Sequence, residues 1–309
     1  MNIIKSDNGF PYSWKAGRVE QLLRNILEEK IRSQQAVDTV MLINSTWLLD
    51  RDLAQEIQDA DPDFIICHNF VDPVIPQVKQ IIQDSGVPHL FIGNCNQYRL
   101  DFWAMACDLN FQAYTERELH LNLNAQKFMC LNRKPHAHRR TMVRYLEPVT
   151  NQGYLTVGAD PLLTDNDIGD YTVPNDVYTL GDIVAWQDAY LNIVTETVFS
   201  NDEFFISEKT WKPIIGLRSF FVYGQPELRK YLKEQGFDIF EDLIKYDCLP
   251  KHAAEEHYAE LAVNTVKNLI INYSPQFQQR LLANQQRFRS YVYEQWNRLL
   301  TLNLKDYHE

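Results

Sequence analysis

The sequence has little that would mark an exported or membrane-bound protein. Its five cysteines are odd in number and include no C-x-x-C pair, so neither a disulfide framework nor a zinc knuckle is indicated. The N-terminus turns polar after a few residues, unlike a signal peptide. No run of about 18 apolar residues occurs, which a membrane-spanning helix would need. We therefore expect a cytoplasmic protein without a membrane span.

An excess of positive charge is also missing. Acidic residues outnumber basic ones by 41 to 30, and the formal net charge is −11. Because nucleic-acid binding requires a basic face that neutralises phosphates, this balance argues against a nucleic-acid-binding protein. A protein that modifies nucleic acid stays open as an interpretation, provided that the basic groove of the protein is confined to a small area. The length of 309 residues suits two domains of ordinary size.

Short apolar runs alternate with amphipathic segments along most of the chain, a pattern typical of βαβ units and parallel sheets. Strands are predicted at 39–43, 64–67, 90–92, 127–131, 153–157, 191–195 and 219–223. Helices are predicted at 17–32, 52–58, 74–84, 139–146, 207–216 and 225–235. From residue 251 onward the pattern is helical, with a break near Ser274-Pro275. The sequence thus predicts an α/β fold with a helical C-terminus.

The polar stretch 115–124 indicates a domain junction. We predict one Rossmann-like domain over 1–124 and a second Rossmann-like domain over 125–250. The C-terminal helical segment, 251–309, is expected to pack back on the first domain. A cleft between the two domains is the expected place for a substrate.

A polar cluster follows the apolar run 191–195. Thr195-Glu196-Thr197 ends that run, and Ser207-Glu208-Lys209, with Lys212 one turn further on, begins the next helix. In α/β folds, ligands bind at the carboxyl ends of strands and at the helix N-termini beside them. There, backbone N–H groups and a lysine can hold a diphosphate, while a carboxylate can hold a ribose. The alternative is an ordinary helix start, because Ser is a common N-cap and Glu and Lys are favoured on helix surfaces.

A second cluster is strongly basic and joins the strand 127–131 to the next helix. Its arginines and lysine are Arg133, Lys134, Arg139 and Arg140. In so acidic a chain, positive charge of this density indicates an anionic ligand, and a diphosphate is the natural counter-charge. The alternative is a solvated helix face with surface histidines. The residues concerned are Arg139, Arg140, Arg144, His136 and His138.

Together the two clusters resemble the donor-binding half of the α1,3-fucosyltransferase family. That family has a Lys-Phe strand, a Ser-Asn turn and an Arg before a helix, then Glu-Asn, Ile-Thr-Glu-Lys and an apolar strand. The resemblance covers roughly residues 127–245. Ser207 stands where the family has Thr, Thr197 stands where it has Asn, and Trp211-Lys212-Pro213 is foreign to it. The same segment, Ser-Glu-Lys-Thr-Trp-Lys-Pro, is also similar to glycosyltransferase-like proteins encoded by large phages.

The resemblance implies the GT-B fold, in which two Rossmann-like domains face each other across a cleft. The domain over 125–250 would then bind the donor, and the domain over 1–124 would lie on the acceptor side. It implies a glycosyltransferase that uses a nucleoside-diphosphate sugar, works without a metal or other cofactor, and inverts the anomeric centre. Arg139 and Lys209 would meet the diphosphate, Glu208 the ribose, and Glu196 would lie near the sugar. With the other members of the two clusters, the predicted donor-binding residues are Arg133, Arg139, Ser207, Glu208, Lys209 and Lys212.

No metal site is predicted. Four Asp-x-Asp pairs occur in the sequence, as chance allows in an acidic chain, and Asp165-Asn166-Asp167 is the one that lies in a loop after a strand. Positively charged residues can replace a metal in neutralising a leaving diphosphate.

The general base is expected in the first domain. His68 is favoured because it follows the strand ending at Cys67, in a loop that would face the cleft, and because histidine titrates near neutral pH. Asp72 in the same loop is the next candidate, and Asp101 and Glu116 are further carboxylates of this domain. The alternative for His68 is a structural hydrogen bond. With Glu196, the predicted catalytic residues are His68, Asp72 and Glu196.

The acceptor is expected to be a glycan or another molecule with a free hydroxyl. A competing interpretation comes from a different class of protein. It is a non-catalytic nucleotide-binding, sugar-binding or assembly protein that keeps a Rossmann-like pocket, since a fold does not guarantee an activity.

Overall fold

The computed structural model is an α/β protein with two parallel β-sheets, which confirms the predicted fold class at that level. It describes residues 2–6, 15–34, 37–44, 52–69, 76–93, 98–115, 126–132, 135–157, 183–197, 199, 204–250 and 253–307. No helix within these ranges is both long enough and apolar enough to cross a membrane.

The chain divides into two compact units. Unit 1 comprises Met1–Ala106, Glu203–Phe205 and Val292–Glu309, and unit 2 comprises Cys107–Asp202 and Ile206–Tyr291. The predicted junction at 115–124 falls, apart from Thr115, outside the described residues.

Unit 1 contains a five-stranded sheet in which consecutive strands are neighbours, in the order β1-β2-β3-β4-β5. The strands are β1 (Asn2–Ser6), β2 (Thr39–Asn44), β3 (Phe64–Asn69), β4 (His89–Gly93) and β5 (Tyr98–Arg99). The helices are α1 (Lys15–Gln34), α2 (Leu53–Ala60), α3 (Pro76–Asp84) and α4 (Phe102–Thr115), of which α4 continues into unit 2. The strands and helices predicted before residue 93 are confirmed, whereas β1, β5 and α4 are absent from the predicted strands and helices.

One face of this sheet forms an apolar layer with α2 and α3. Successive strand residues point to opposite faces, so alternate residues of β2, β3 and β4 share one side. The buried members of this layer are Met41, Ile43, Leu53, Ile57, Ile65, Cys67, Val78, Ile82 and Phe91.

The end of the chain belongs to unit 1 as well. Gln34 on α1 donates from Nε2 to the carbonyl of Leu302 at 2.6 Å and accepts from the Leu304 N–H at 2.7 Å. The Asp101 N–H donates to Oε1 of Gln295 at 3.1 Å. These hydrogen bonds hold the C-terminal residues against α1 and the start of α4.

Unit 2 contains a four-stranded parallel sheet in the order β7-β6-β8-β9. The strands are β6 (Phe128–Asn132), β7 (Gly153–Val157), β8 (Leu191–Thr195) and β9 (Ser219–Tyr223). The helices are α5 (Ala137–Leu146), α6 (Ile183–Asp188), α7 (Glu208–Ile215), α8 (Pro226–Glu234), α9 (Glu255–Asn268) and α10 (Pro275–Thr301), which extends into unit 1. The predicted bounds of β7, β8 and β9 are confirmed to the residue, and the break before Pro275 is confirmed too.

Helix α7 is fixed by one large buried side chain. Trp211 is completely buried, and its ring centroid lies 5.4 Å from those of Phe237 and Phe288 and 5.2 Å from that of Tyr291. Burying a tryptophan among aromatic rings contributes both apolar area and favourable ring geometry. The start of α7, where the polar cluster lies, is therefore held in place by the packing of Trp211.

Candidate functional site

The strand order of unit 2 contains a reversal between β6 and β8. From β6 the chain moves to β7 on one side of the sheet, and β8 then pairs with β6 on the other side. Because connections between parallel strands are right-handed, the helices that follow β6 and β8 belong on opposite faces of the sheet. Such a reversal leaves a crevice at the carboxyl ends of the two strands, where α/β folds bind ligands. Both predicted clusters follow these two strand ends.

The carboxyl ends of β6 and β8 are joined by a buried polar network. The Thr195 hydroxyl donates to Oδ1 of Asn132, whose Nδ2 donates to Sγ of Cys130 at 3.3 Å. The Asn132 N–H donates to the hydroxyl of Thr156 on β7 at 3.0 Å. Burial raises the pKa of the Cys130 thiol to about 12, with the opposing effects of Asn132 and Arg139 too small to offset it. Cys130 is therefore a neutral thiol and not a nucleophile.

Glu196 follows β8 directly, and its carboxylate is occupied by the protein itself. Its Oε2 accepts hydrogen bonds from the Ser207 hydroxyl at 2.5 Å and the Thr197 N–H at 3.0 Å. Its Oε1 accepts from the Thr210 hydroxyl at 2.5 Å and the Ser207 N–H at 3.2 Å. Glu196 is only 1% exposed. Its carboxylate therefore lies buried at the positive N-terminal end of α7, where an anion from another part of the same chain is stabilising.

The backbone of Glu196 joins the second cluster to the first. Its carbonyl accepts from Nε2 of His138 at 2.8 Å and from Nη2 of Arg139 at 3.3 Å. Burial lowers the pKa of His138 despite the opposing carbonyl, and Arg139 and His136 lower it further. The ring is therefore neutral near pH 7, and since a carbonyl only accepts, its proton lies on Nε2.

Gly224 shows how closely Glu196 is held. A Cβ atom at Gly224, just after β9, would lie 3.1 Å from Cβ and 3.3 Å from Cγ of Glu196. These distances are shorter than ordinary contacts, so a side chain here would require Glu196 to shift by a few tenths of an ångström. The absence of a side chain at Gly224 thus leaves room for the Glu196 side chain.

The first turn of α7 carries an ion pair between adjacent residues. Nζ of Lys209 lies 2.5 Å from Oε1 of Glu208 and donates to the Thr197 hydroxyl at 3.3 Å. Burial would raise the pKa of Glu208, but the positive charges of Lys209 and Lys212 outweigh burial and lower it. Glu208 is therefore an ionised carboxylate near pH 7, next to two cations.

The predicted donor-binding residues differ in how much of each side chain is free to contact a ligand. The helix start at Ser207 is confirmed: Ser207 is the N-cap of α7, and its oxygen accepts from the Lys209 N–H at 3.3 Å. Its hydroxyl proton and its own N–H, however, are used on Glu196, so Ser207 acts in the structure as an internal link. Lys209 keeps 29% of its side chain exposed, and Lys212 is half-buried.

The predicted basic face divides in two. Arg140 and Arg144 are exposed, as the solvated-face alternative expects, but Arg139 is only 3% exposed and points inward to the end of β8. His138 is buried and His136 exposed, with parallel rings 6.0 Å apart. The surface interpretation is therefore wrong for Arg139 and His138. The sequence signal that distinguishes them is the i, i+4 repeat of His138, Met142 and Leu146, which marks the buried face of α5.

His68 lies inside unit 1 and not in a loop. It is the fifth residue of β3, in register with Asn44 on β2 and Ile92 on β4, and its side chain is fully buried. Burial, with the charge of Arg24 as a second cause, lowers its pKa to about 3. The expectation of a loop position is wrong because pairing with β2 and β4 continues beyond Cys67, through His68 and Asn69. The burial of His68 is that of a core residue.

Replacing His68 with glutamine should remove a pH dependence from the stability of unit 1. Below about pH 6.5 the unfolded chain takes up a proton at His68, whereas the folded protein does so only near pH 3. Acid therefore favours the unfolded state by about 1.4 kcal/mol per pH unit in this window. In urea unfolding, wild type should lose stability relative to the variant as pH falls from about 7 to about 4. A difference that stays constant over this range would contradict a buried neutral imidazole.

Several predicted residues lie outside the described residues. They are Asp72, Arg133, Glu116 and the Asp165-Asn166-Asp167 segment. Within the described ranges, no group of three or more His, Cys, Asp or Glu side chains is arranged to hold a metal ion. The candidate site therefore rests on Arg139, Glu196, Ser207, Glu208 and Lys209, to which the structure adds Asn132, His138 and Thr210.

Comparisons with known proteins found no match to this chain among protein-family models, curated proteins or solved structures.

Proposed function

We propose that this protein is a GT-B glycosyltransferase that moves a sugar from a nucleoside-diphosphate donor to an acceptor hydroxyl, without a metal and with inversion. The observation that carries the proposal is the reversal of strand order between β6 and β8, since Arg139 and the Glu208–Lys209 pair come from two different helices to the carboxyl ends of these strands. Cations from both sides of such a crevice suit a diphosphate that bridges them. In this proposal Lys212 and Arg133 add positive charge around the same group.

The proposed reaction is a displacement at the anomeric carbon. The acceptor oxygen forms the new bond to that carbon and loses its proton to a base, while the bond to the diphosphate oxygen breaks and the diphosphate leaves with the electron pair. Arg139 and Lys209 stabilise the charge that develops on the leaving group. Glu208, held ionised by its lysine neighbours, accepts hydrogen bonds from the ribose. The GT-B arrangement and an acceptor site on unit 1 belong to this proposal.

The base in this proposal is Asp72, with His68 as a weaker candidate. His68 is fully buried, and a general base must come within hydrogen-bond reach of the proton it takes. We propose that Glu196 holds the start of α7 in place and does not contact the sugar, because each of its two carboxylate oxygens already accepts two hydrogen bonds from the protein.

The second candidate is a non-catalytic protein that binds nucleotides or nucleotide sugars. It is favoured by the same two observations, the burial of His68 and the internal use of Glu196, because neither of these two predicted catalytic residues is then available as a base. The two candidates share the binding site and differ in chemistry. Donor hydrolysis or sugar transfer therefore separates them.

The test is a thermal-shift panel of GDP, UDP, CDP, ADP and dTDP, with and without Mg²⁺. We expect one diphosphate to raise the melting temperature without Mg²⁺, since a ligand that binds the folded state stabilises it by mass action. The rise should disappear in Glu208→Ala and persist in Glu234→Ala, whose side chain is 58% exposed on α8. A panel in which no diphosphate has an effect, or in which Glu208→Ala responds like wild type, would contradict the proposed site.

A further inference from the structure

Arg218 is a buried arginine at the amino end of β9. Its side chain is among the largest that unit 2 buries, and the residue is 1% exposed. Nη1 donates to the carbonyls of Gly216 at 3.1 Å and Leu217 at 2.7 Å. Leu217 has a φ of 52°, a left-handed conformation that non-glycine residues seldom adopt. One edge of the guanidinium is thus fixed by the turn that leads into the strand.

The other edge of the same guanidinium has donors without acceptors. Within the part of the chain that the structure describes, Nε and Nη2 of Arg218 have no hydrogen-bond partner, and Arg218 belongs to no ion pair there. Nε–H and an Nη2–H point in parallel, and they form the fork that binds two oxygens of a carboxylate or phosphate. Nε and Nη2 of Arg218 together therefore form a complete bidentate donor. A buried guanidinium without an anion is costly, so this fork requires an explanation.

The surroundings supply a third donor. The Tyr273 hydroxyl, on the segment between α9 and α10, is also buried without a partner in the described residues. Burial lowers the pKa of Arg218 to about 10, and the nearby Tyr273 and Asp188 only partly offset this. Arg218 is therefore still charged near pH 7. The Asp188 carboxylate accepts from the Tyr154 hydroxyl at 2.8 Å and forms no ion pair with Arg218.

We propose that Arg218 is the centre of a second ligand site, in which Nε and Nη2 bind two oxygens of a small oxyanion and the Tyr273 hydroxyl donates to the same group. The ligand class is a carboxylate or a phosphate-like oxyanion. The Tyr273 ring lies 5.1 Å from that of Tyr190, whose hydroxyl donates to the Asn272 carbonyl at 3.3 Å. The Tyr190 carbonyl in turn accepts from the hydroxyl of Ser219, the neighbour of Arg218, at 2.7 Å. Because Arg218 and the Tyr273 hydroxyl are buried, the proposed ligand is a small ion.

This site is separate from the proposed donor site and does not depend on it. Arg218 precedes β9, at the amino ends of the strands of unit 2, whereas the donor site lies at the carboxyl ends of β6 and β8. Failure of one proposal therefore leaves the other standing. An anion held here would bridge the turn before β9 and the segment before α10 and would stabilise unit 2.

The experiment is a thermal-shift titration of the full chain with sodium formate, sodium phosphate and sodium chloride at constant ionic strength. Wild type should show a saturable rise of about 2 °C or more with one of the two oxyanions and none with chloride. The rise should disappear in Arg218→Lys, which keeps the charge but lacks the fork, and should fall several-fold in Tyr273→Phe. Arg144→Lys, at an exposed position, should respond like wild type.

Formate without phosphate would identify a carboxylate site, and the reverse would identify a phosphate-like ligand. If Arg218→Lys does not fold, the proposed oxyanion site is tested by the Tyr273→Phe titration and by a crystal structure of the wild type with formate or phosphate. Bidentate density on Nε and Nη2 is the expected result. Equal responses of wild type and Tyr273→Phe to every salt, or a fork filled only by water or by the Asp188 side chain, would overturn the proposal.

Discussion

Replacing Lys209 with methionine should lower the turnover number for sugar transfer or donor hydrolysis by about 10²- to 10³-fold, with a much smaller change in KM. The expectation rests on the proposed function. A donor aimed at charge that develops in the transition state contributes about this factor in turnover, and its loss appears in kcat rather than in substrate binding. Arg139→Met should have an effect of similar size, because Arg139 contributes the cation from the other side of the crevice.

The measurement uses the nucleotide that the thermal-shift panel selects, as its sugar donor, with the rate taken at saturating donor. Lys230→Met is the matched control, since Lys230 lies in the same unit with 79% of its side chain exposed and only a long ion pair of 3.7 Å to Glu234. The control should keep wild-type kinetics. Unchanged kinetics in both Lys209→Met and Arg139→Met would rule out this crevice as the place where the diphosphate leaves.

Removing Lys209 also leaves Glu208 without its closest cation, and that effect must be separated from catalysis. Glu208 is 4% exposed, and the lysine charges are what keep its pKa low against burial. The double variant Glu208→Gln with Lys209→Met has no stranded carboxylate. If its turnover is as low as that of Lys209→Met alone, the loss comes from the missing cation and not from a protonated Glu208.

The sheet of unit 2 could be predicted well because its strands are short, continuous apolar runs. Leu191–Thr195 and Ser219–Tyr223 are largely buried, and Gly153–Val157, at the edge of the sheet, is partly buried. Each run is followed by a glycine or a glutamate, so its end is visible in the sequence. The strand order that creates the reversal at β6 is not visible, since it depends on pairing between distant segments. The sequence therefore predicted polar strand ends but not that two of them share a crevice.

Two of the elements that were missed in unit 1, β5 and α4, lack a periodic signal. β5 has two residues, Tyr98–Arg99, too few for any alternation. The first turns of α4 are buried on all sides, from Phe102 through Cys107, so apolar residues do not recur on one face. A helix that is apolar all round cannot be told from a buried strand by periodicity alone.

The site residues were predicted by type, and their roles depend on contacts that no local pattern records. Glu196 and Thr210 are 14 residues apart, yet a hydrogen bond of 2.5 Å joins them. Similarly, Arg218 borders a strand, where a charged residue is normally exposed, and its burial follows from the turn at Leu217. Spacing indicates which residues begin a helix, but only the fold determines which of them face each other.

Replacing Glu196 with glutamine should lower the unfolding free energy of unit 2 by about 3–5 kcal/mol, because it turns an acceptor of four hydrogen bonds into a group that must donate on one side. The amide nitrogen would face a hydroxyl and an N–H that now donate to Oε1 or Oε2. Urea unfolding measures the loss. Glu227→Gln, at an exposed position on α8, is the matched control and should change stability by less than about 0.5 kcal/mol.

Two further variants test whether Glu196 stabilises the start of α7 or contacts the sugar. Thr210→Val removes one donor to Glu196 and should cost about 1–3 kcal/mol. Glu196→Ala removes the carboxylate but leaves its donors in place at the start of α7, so formate should restore part of the lost stability and chloride should restore less, since formate supplies two acceptor oxygens. If Glu196→Gln instead keeps wild-type stability and loses only turnover, the carboxylate acts on the substrate and the internal role is wrong. The hydrogen bonds from Ser207, Thr210 and Thr197 favour the internal role, because together they occupy all four lone pairs of the Glu196 carboxylate.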